Sequence, residues 1–182
     1  MKGGFDAWNG LASRAEVDQG IYLFEGNETS EQFLSLAYGL EEGNHKFYES
    51  LSLTTEDEEV KKLFSMLAGM ENEHKERIWK RYHNLSKMTI DRENFEINIV
   101  TGVLEDGKTA HAVLEDYSST MQQVTDAMEL AMSLETDALD LYLRMAHKTE
   151  DSEAEKIFFE LSEEERFHLK KLAEMFRKKV SV

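Results

Sequence analysis

The chain repeats itself at an offset of 94 residues, and that repeat limits the folds open to it. TEDEEVKKLFSMLAGMENEH (55–74) overlays TEDSEAEKIFFELSEEERFH (149–168) with nine of twenty positions identical. The identities include Thr55/Thr149, Phe64/Phe158, Leu67/Leu161, Glu71/Glu165 and His74/His168. Upstream, LAYGLEEGNHKFY (36–48) overlays LAMSLETDALDLY (130–142), matching Leu36/Leu130, Ala37/Ala131, Leu40/Leu134, Glu41/Glu135 and Tyr48/Tyr142. Each half therefore reads Glu, then Tyr seven residues on, then Glu-x-x-His beginning 23 residues after the Tyr.

The repeated unit reads as a helical hairpin. The chain has no Pro, and 29–180 is rich in Glu, Leu, Lys, Met and Ala, so an all-α domain is expected. Thr55-x-x-Glu58 and Ser152-x-x-Glu155 have the pattern of capping boxes that start helices. Glu41 and Glu71 then lie about 15 residues either side of a turn. At ~1.5 Å per residue both sit roughly 22 Å from the hairpin end, at one level. Glu135 and Glu165 are placed likewise about a turn near Glu150. Leu40, Tyr48, Phe64 and Leu67 continue the same faces in one hairpin, Leu134, Tyr142, Phe158 and Leu161 in the other. Two antiparallel hairpins would thus point four carboxylates and two imidazoles inward.

Spacing alone does not single these residues out. With 27 Glu and six His among 182 residues, chance gives roughly one Glu three residues before a His. Three such pairs occur: Glu42/His45, Glu71/His74 and Glu165/His168. The first maps onto Thr136 and Leu139 in the other half and is read as the chance match. Four buried carboxylates repel one another unless protons or cations relieve them. Two divalent ions balance the four charges. Oxygen and nitrogen donors without thiolate suit Fe, Mn or Zn, and bridging carboxylates favour a dinuclear centre.

The net charge of −16 and pI near 4.8 argue against nucleic acid or an anionic membrane as partner. The absence of Cys excludes disulfides, a thiolate nucleophile and Cys-ligated metal in this chain. No apolar run approaches the length of a membrane span and no secretory leader is read, so a cytoplasmic location is expected.

These six residues and two tyrosines resemble the ferritin-like di-iron proteins, specifically the rubrerythrin branch, over about residues 29–182. The resemblance implies a four-helix bundle of two hairpins joined by a long crossover. It implies two iron ions, one on Glu41 and His74, the other on Glu135 and His168, bridged by Glu71 and Glu165. Tyr48 and Tyr142 would donate to ligand carboxylates. The implied activity is peroxidase chemistry, the reduction of hydrogen peroxide by electrons from an external donor, rubredoxin-like or another reductase. Glu71, Glu165, Tyr48 and Tyr142 would serve the reaction, in a homodimer. Typical rubrerythrins carry a seventh carboxylate one turn after the third-helix Glu, where this chain has Ala138. Many also end in a Cys-ligated rubredoxin domain. Two other readings stand beside this one: iron oxidation and handling with oxygen, and a metal-binding module serving a fused rhodanese domain.

That last reading comes from the start of the chain. In MKGGFDAWNG, Gly3, Gly4, Ala7 and Trp8 resemble the closing motif of rhodanese-like domains, so residues 1–28 are read as an arm or linker, a remnant of such a domain. GIYLFEG (20–26) reads as a short strand or extended linker. Residues 87–118 read as the crossover, with a short helix at 110–117, and Ser119-x-x-Gln122 as the opening of the third long helix. His83, His111 and His147 lack ligand-spaced partners and are expected on the surface or in packing.

Overall fold

The computed structural model describes residues 28–86, 90–99 and 123–181. The expectations for the N-terminal arm before residue 28, for a helix at 110–117 and for His111 lie outside them. Five helices occur among the described residues: α1 (Ser30–Thr54), α2 (Glu58–Leu85), the short α3 (Arg92–Ile97), α4 (Val124–Lys148) and α5 (Ser152–Val180). No strand occurs among them. The long helices form two antiparallel hairpins, α1–α2 and α4–α5, packed side by side as an all-α, ferritin-like bundle.

The 94-residue offset extends to the caps. Thr29 caps α1, its hydroxyl accepting from Gln32 N while the Gln32 side chain accepts from Thr29 N. At the equivalent position Gln123 opens α4, its N–H donating to Asp126 at 2.9 Å. Val124 is the first residue of the described helix; residues 119–122, read from the sequence as its opening, lie outside the described residues. The second helix of each hairpin starts differently from the capping-box reading. Asp57 caps α2 by accepting from Glu59 N and Val60 N, and Asp151 caps α5 by accepting from Glu153 N and Ala154 N. A carboxylate satisfies two orphan N–H groups and meets the positive helix end, which a hydroxyl at Thr55 or Ser152 would not match. Ser152 is instead the first helical residue. Thr55 and Thr149 accept the Asp57 and Asp151 N–H groups at 3.3 and 3.2 Å, which closes both tight connections in the same way.

Two apolar clusters fill the bundle, one towards each end. One joins Phe47, Leu51, Leu63 and Phe64 of the first hairpin to Val124, Met128, Leu130 and Leu172 of the second. The other joins Phe33, Leu34, Tyr38 and Ile78 to Leu141, Met145, Ile157 and Phe158. Full burial of each large side chain contributes about 1.5–3 kcal/mol. Ring contacts set the orientation: Tyr48 stacks on Phe64 with centroids 5.9 Å apart, and Phe33 meets Phe158 edge-on at 5.0 Å.

Helix α3 was not anticipated from the sequence. Asp91 caps it, and its buried Phe95 packs against Tyr38, Trp79 and Tyr82. The Tyr38 hydroxyl donates to Glu96 and accepts from Arg92 at 3.1 Å, while Arg92 also pairs with Glu76. The start of the crossover is thereby tied to α1 and α2. No described helix is long and apolar enough to cross a membrane.

Candidate metal centre

Between the two apolar clusters lies a polar layer. Glu41 on α1, Glu71 and His74 on α2, Glu135 on α4, and Glu165 and His168 on α5 are each no more than 4% exposed. The three-residue spacing places Glu71 with His74, and Glu165 with His168, one turn apart on a single helix face. The capped starts of α2 and α5 set the height of those pairs, and the tight turns bring Glu41 and Glu135 level with them.

Both imidazoles turn Nδ1 towards the carboxylates. His74 Nδ1 lies 2.9 Å from Glu41, 3.4 Å from Glu71 and 3.4 Å from Glu165. His168 Nδ1 lies 3.0 Å from Glu135 and 3.5 Å from Glu165. Glu165 thus directs Oε1 to one imidazole and Oε2 to the other. The rings themselves stack, centroids 4.6 Å apart and 6° from parallel. Hydrogen bonds then cross between hairpins: Tyr48 donates to Glu135 Oε1 at 3.0 Å, and Tyr142 to Glu41 Oε1 at 2.6 Å. Both tyrosines are fully buried.

Without a cation the layer divides its charge unevenly. Burial raises the Glu41 carboxyl, but the charge of His74 and hydrogen bonds from His74, Glu71 and Tyr142 outweigh it and hold it at about 2. Burial depresses the His74 imidazole, and Glu41, Glu165 and Glu164 override that and lift it to about 10. Glu165 is pushed well above the ordinary carboxyl range, first by burial and then by Glu135 and Glu41.

The donor set fits metal. Three sets of three ligand atoms lie within 4.8 Å of one another: Glu41/Glu71/His74, Glu71/Glu135/His168 and His74/Glu165/His168. Glu71 belongs to a set in each half, and Glu165 reaches both imidazoles, as bridging carboxylates would.

The remaining candidates lie apart. His45 Nδ1 bonds the Ala68 carbonyl at 2.8 Å, and Glu42 pairs with Lys46 and the buried Lys75. His83 packs near Trp79 and His147 against Phe159, both exposed. Ala138 sits in the apolar cluster, 1% exposed. Its equivalent in α1 is Asn44, 3% exposed, whose Oδ1 has no hydrogen-bond partner among the described residues. Sequence reasoning overlooked Glu164, whose Oε2 lies 3.3 Å from His74 Nε2. Its only signal is the run Glu163-Glu164-Glu165, which is uninformative in so acidic a chain.

Two hairpins that enclose a carboxylate–imidazole layer at mid-height define the di-iron carboxylate class of four-helix bundles. The chain belongs to the rubrerythrin family, whose model matches residues 32–176. A hypothetical protein from Pyrococcus furiosus is similar in fold, with 22% identity and a TM-score of 0.51 over 84% of this chain and 91% of that one. A search of curated proteins gives no significant match.

Proposed function

We propose that this protein is a non-haem di-iron oxidoreductase that reduces hydrogen peroxide to two waters, consuming two protons and two electrons from an external reductant. When bound, two ferrous ions supply both electrons together and two Lewis acids for the peroxide oxygens. The observation that carries the reading is Glu165, which offers one oxygen to each imidazole at 3.4 and 3.5 Å. Glu71 and Glu165 would span the two metal positions, while Glu41 with His74 and Glu135 with His168 would hold one each. Tyr48 and Tyr142 fix the Glu135 and Glu41 carboxylates from opposite hairpins, so each metal position depends on both halves. The flanking apolar clusters keep bulk water away. A cleft of about 680 Å³, lined by Met70, Glu73, Phe159, Phe167 and His168, reaches one edge of the layer and would admit a small oxidant.

A second reading, oxidation and handling of iron with oxygen, is favoured by Ala138, since no carboxylate stands at that position. Anaerobic loading with Fe(II), metal counting, and rapid mixing with peroxide or oxygen separate the two. Two irons per chain with faster oxidation by peroxide is the expected result. Faster oxidation by oxygen, with iron retained over repeated additions, would replace the peroxidase reading with the second.

A further inference from the structure

The repeat makes His74 and His168 equivalent, yet their surroundings differ. Both direct Nδ1 into the carboxylate layer. The outward nitrogen of His74 is buried and faces Glu164 Oε2 at 3.3 Å. Both atoms are buried, and neither makes a hydrogen bond among the described residues, to the other or elsewhere. The other Glu164 oxygen pairs with the half-exposed Arg77, 2.8 Å from Nη1. At the position equivalent to Glu164, the first half has Met70, whose thioether is at best a weak acceptor.

We propose that Glu164 is a positioning residue which accepts the Nε2–H of His74 across the hairpin interface and makes the two metal positions unequal. The inference rests on the metal-centre reading above. A neutral imidazole carries one N–H, and the nitrogen that faces an acceptor keeps it. Nδ1 faces carboxylates as well, Glu41 at 2.9 Å, so the choice is made when a metal takes the Nδ1 lone pair: the single N–H is then on Nε2, directed at Glu164, which can only accept. The opposite tautomer would set the bare Nε2 lone pair against a carboxylate. Glu164 comes from α5 and His74 from α2. The contact therefore also fixes the ring against the other hairpin. Partners of this kind raise ligand basicity, and their loss costs about 10–100-fold in metal affinity. The metal position at His74 should hold its ion more tightly than the one at His168.

The test compares the wild-type chain with Glu164→Met, Glu164→Gln and Arg77→Gln, using Zn(II) as a diamagnetic probe. Chelator competition gives both affinities, and nitrogen NMR of the histidine rings gives the tautomer. Wild type should take two ions, with His74 protonated at Nε2. Glu164→Met should weaken one ion by about 10–100-fold and leave the other. Glu164→Gln, which still offers an oxygen acceptor, and Arg77→Gln, which removes only the ion pair, should retain both. Unchanged affinities in Glu164→Met, an equal loss in Arg77→Gln, or His74 protonated at Nδ1 in the zinc form would each overturn the proposal while two bound ions upheld the centre. Fewer than two ions in wild type would overturn the centre and the proposal together. If Glu164→Met does not fold, the wild-type tautomer decides.

Discussion

In the metal-free protein, Glu165 is the residue most at odds with its surroundings. It is 2% exposed, and burial followed by Glu135 and Glu41 holds its carboxyl well above the ordinary range. An unfolded chain gives up a Glu proton near pH ~4.3. Above that pH the folded state still binds this proton and the unfolded state does not, so stability falls as pH rises until Glu165 itself ionises. The slope is about tenfold in the folding constant per pH unit. Glu165→Gln keeps the shape and removes the titration. The two proteins should therefore be alike near pH 5 in chelator and diverge above it. Over two pH units one proton can contribute at most about hundredfold, or about 3 kcal/mol. For a domain of this size that sets an upper bound of about 6–12 °C on the melting-temperature gain of the Gln variant. Thermal unfolding followed by circular dichroism, at pH 5 and pH 7 in chelator, measures it. Adding metal should reverse the order, because only wild type offers an anionic bridge to an ion that binds the folded state. A Gln variant less stable than wild type at pH 7 without metal would show that the Glu165 carboxylate is already compensated, and the reasoning would fail.

Other consequences concern single groups. His74→Ala and His168→Ala should each lose about one metal per chain by elemental analysis, whereas His45→Ala, whose ring bonds the Ala68 carbonyl at 2.8 Å, should lose none. Full loading in both ligand variants would remove the assignment. Tyr48→Phe and Tyr142→Phe delete the donors to Glu135 and Glu41; metal affinity should fall about 10–100-fold with unchanged helix content, and unaltered affinity would argue against their role. Metal uptake must displace the proton that His74 holds up to about 10 and the one that Glu165 retains. Affinity should thus rise with pH through the neutral range, and zinc titration in a pH-stat should release protons. Uptake without release would contradict the charge distribution. The His74 contribution to stability has the same sign as that of Glu165: it is complete below the ordinary imidazole range and lost as pH rises towards 10. That of Glu41 is opposite, present above the ordinary carboxyl range and lost as pH falls towards 2.

The sequence alone determined the four long helices, their pairing into hairpins and the six residues of the polar layer. Each of those signals is local or duplicated. Apolar spacing belongs to one helix face, Glu-x-x-His spans a single turn, and the 94-residue offset separates Glu71/His74 and Glu165/His168 from the chance pair Glu42/His45. Cap positions were less legible, because Thr55 and Asp57 both suit a helix start and only the turn geometry chose Asp57. Tertiary structure decided the rest. That Tyr48 serves Glu135 and Tyr142 serves Glu41 depends on the rotation and height of one hairpin against the other. The docking of Phe95 on Tyr38 and Tyr82, and of Glu164 on His74, joins residues 13 to 90 positions apart in chain contexts that carry no shared pattern. A helix writes its own periodicity into the sequence. The angle at which two hairpins meet is set by the sum of many packing contacts, and no single stretch of residues records it.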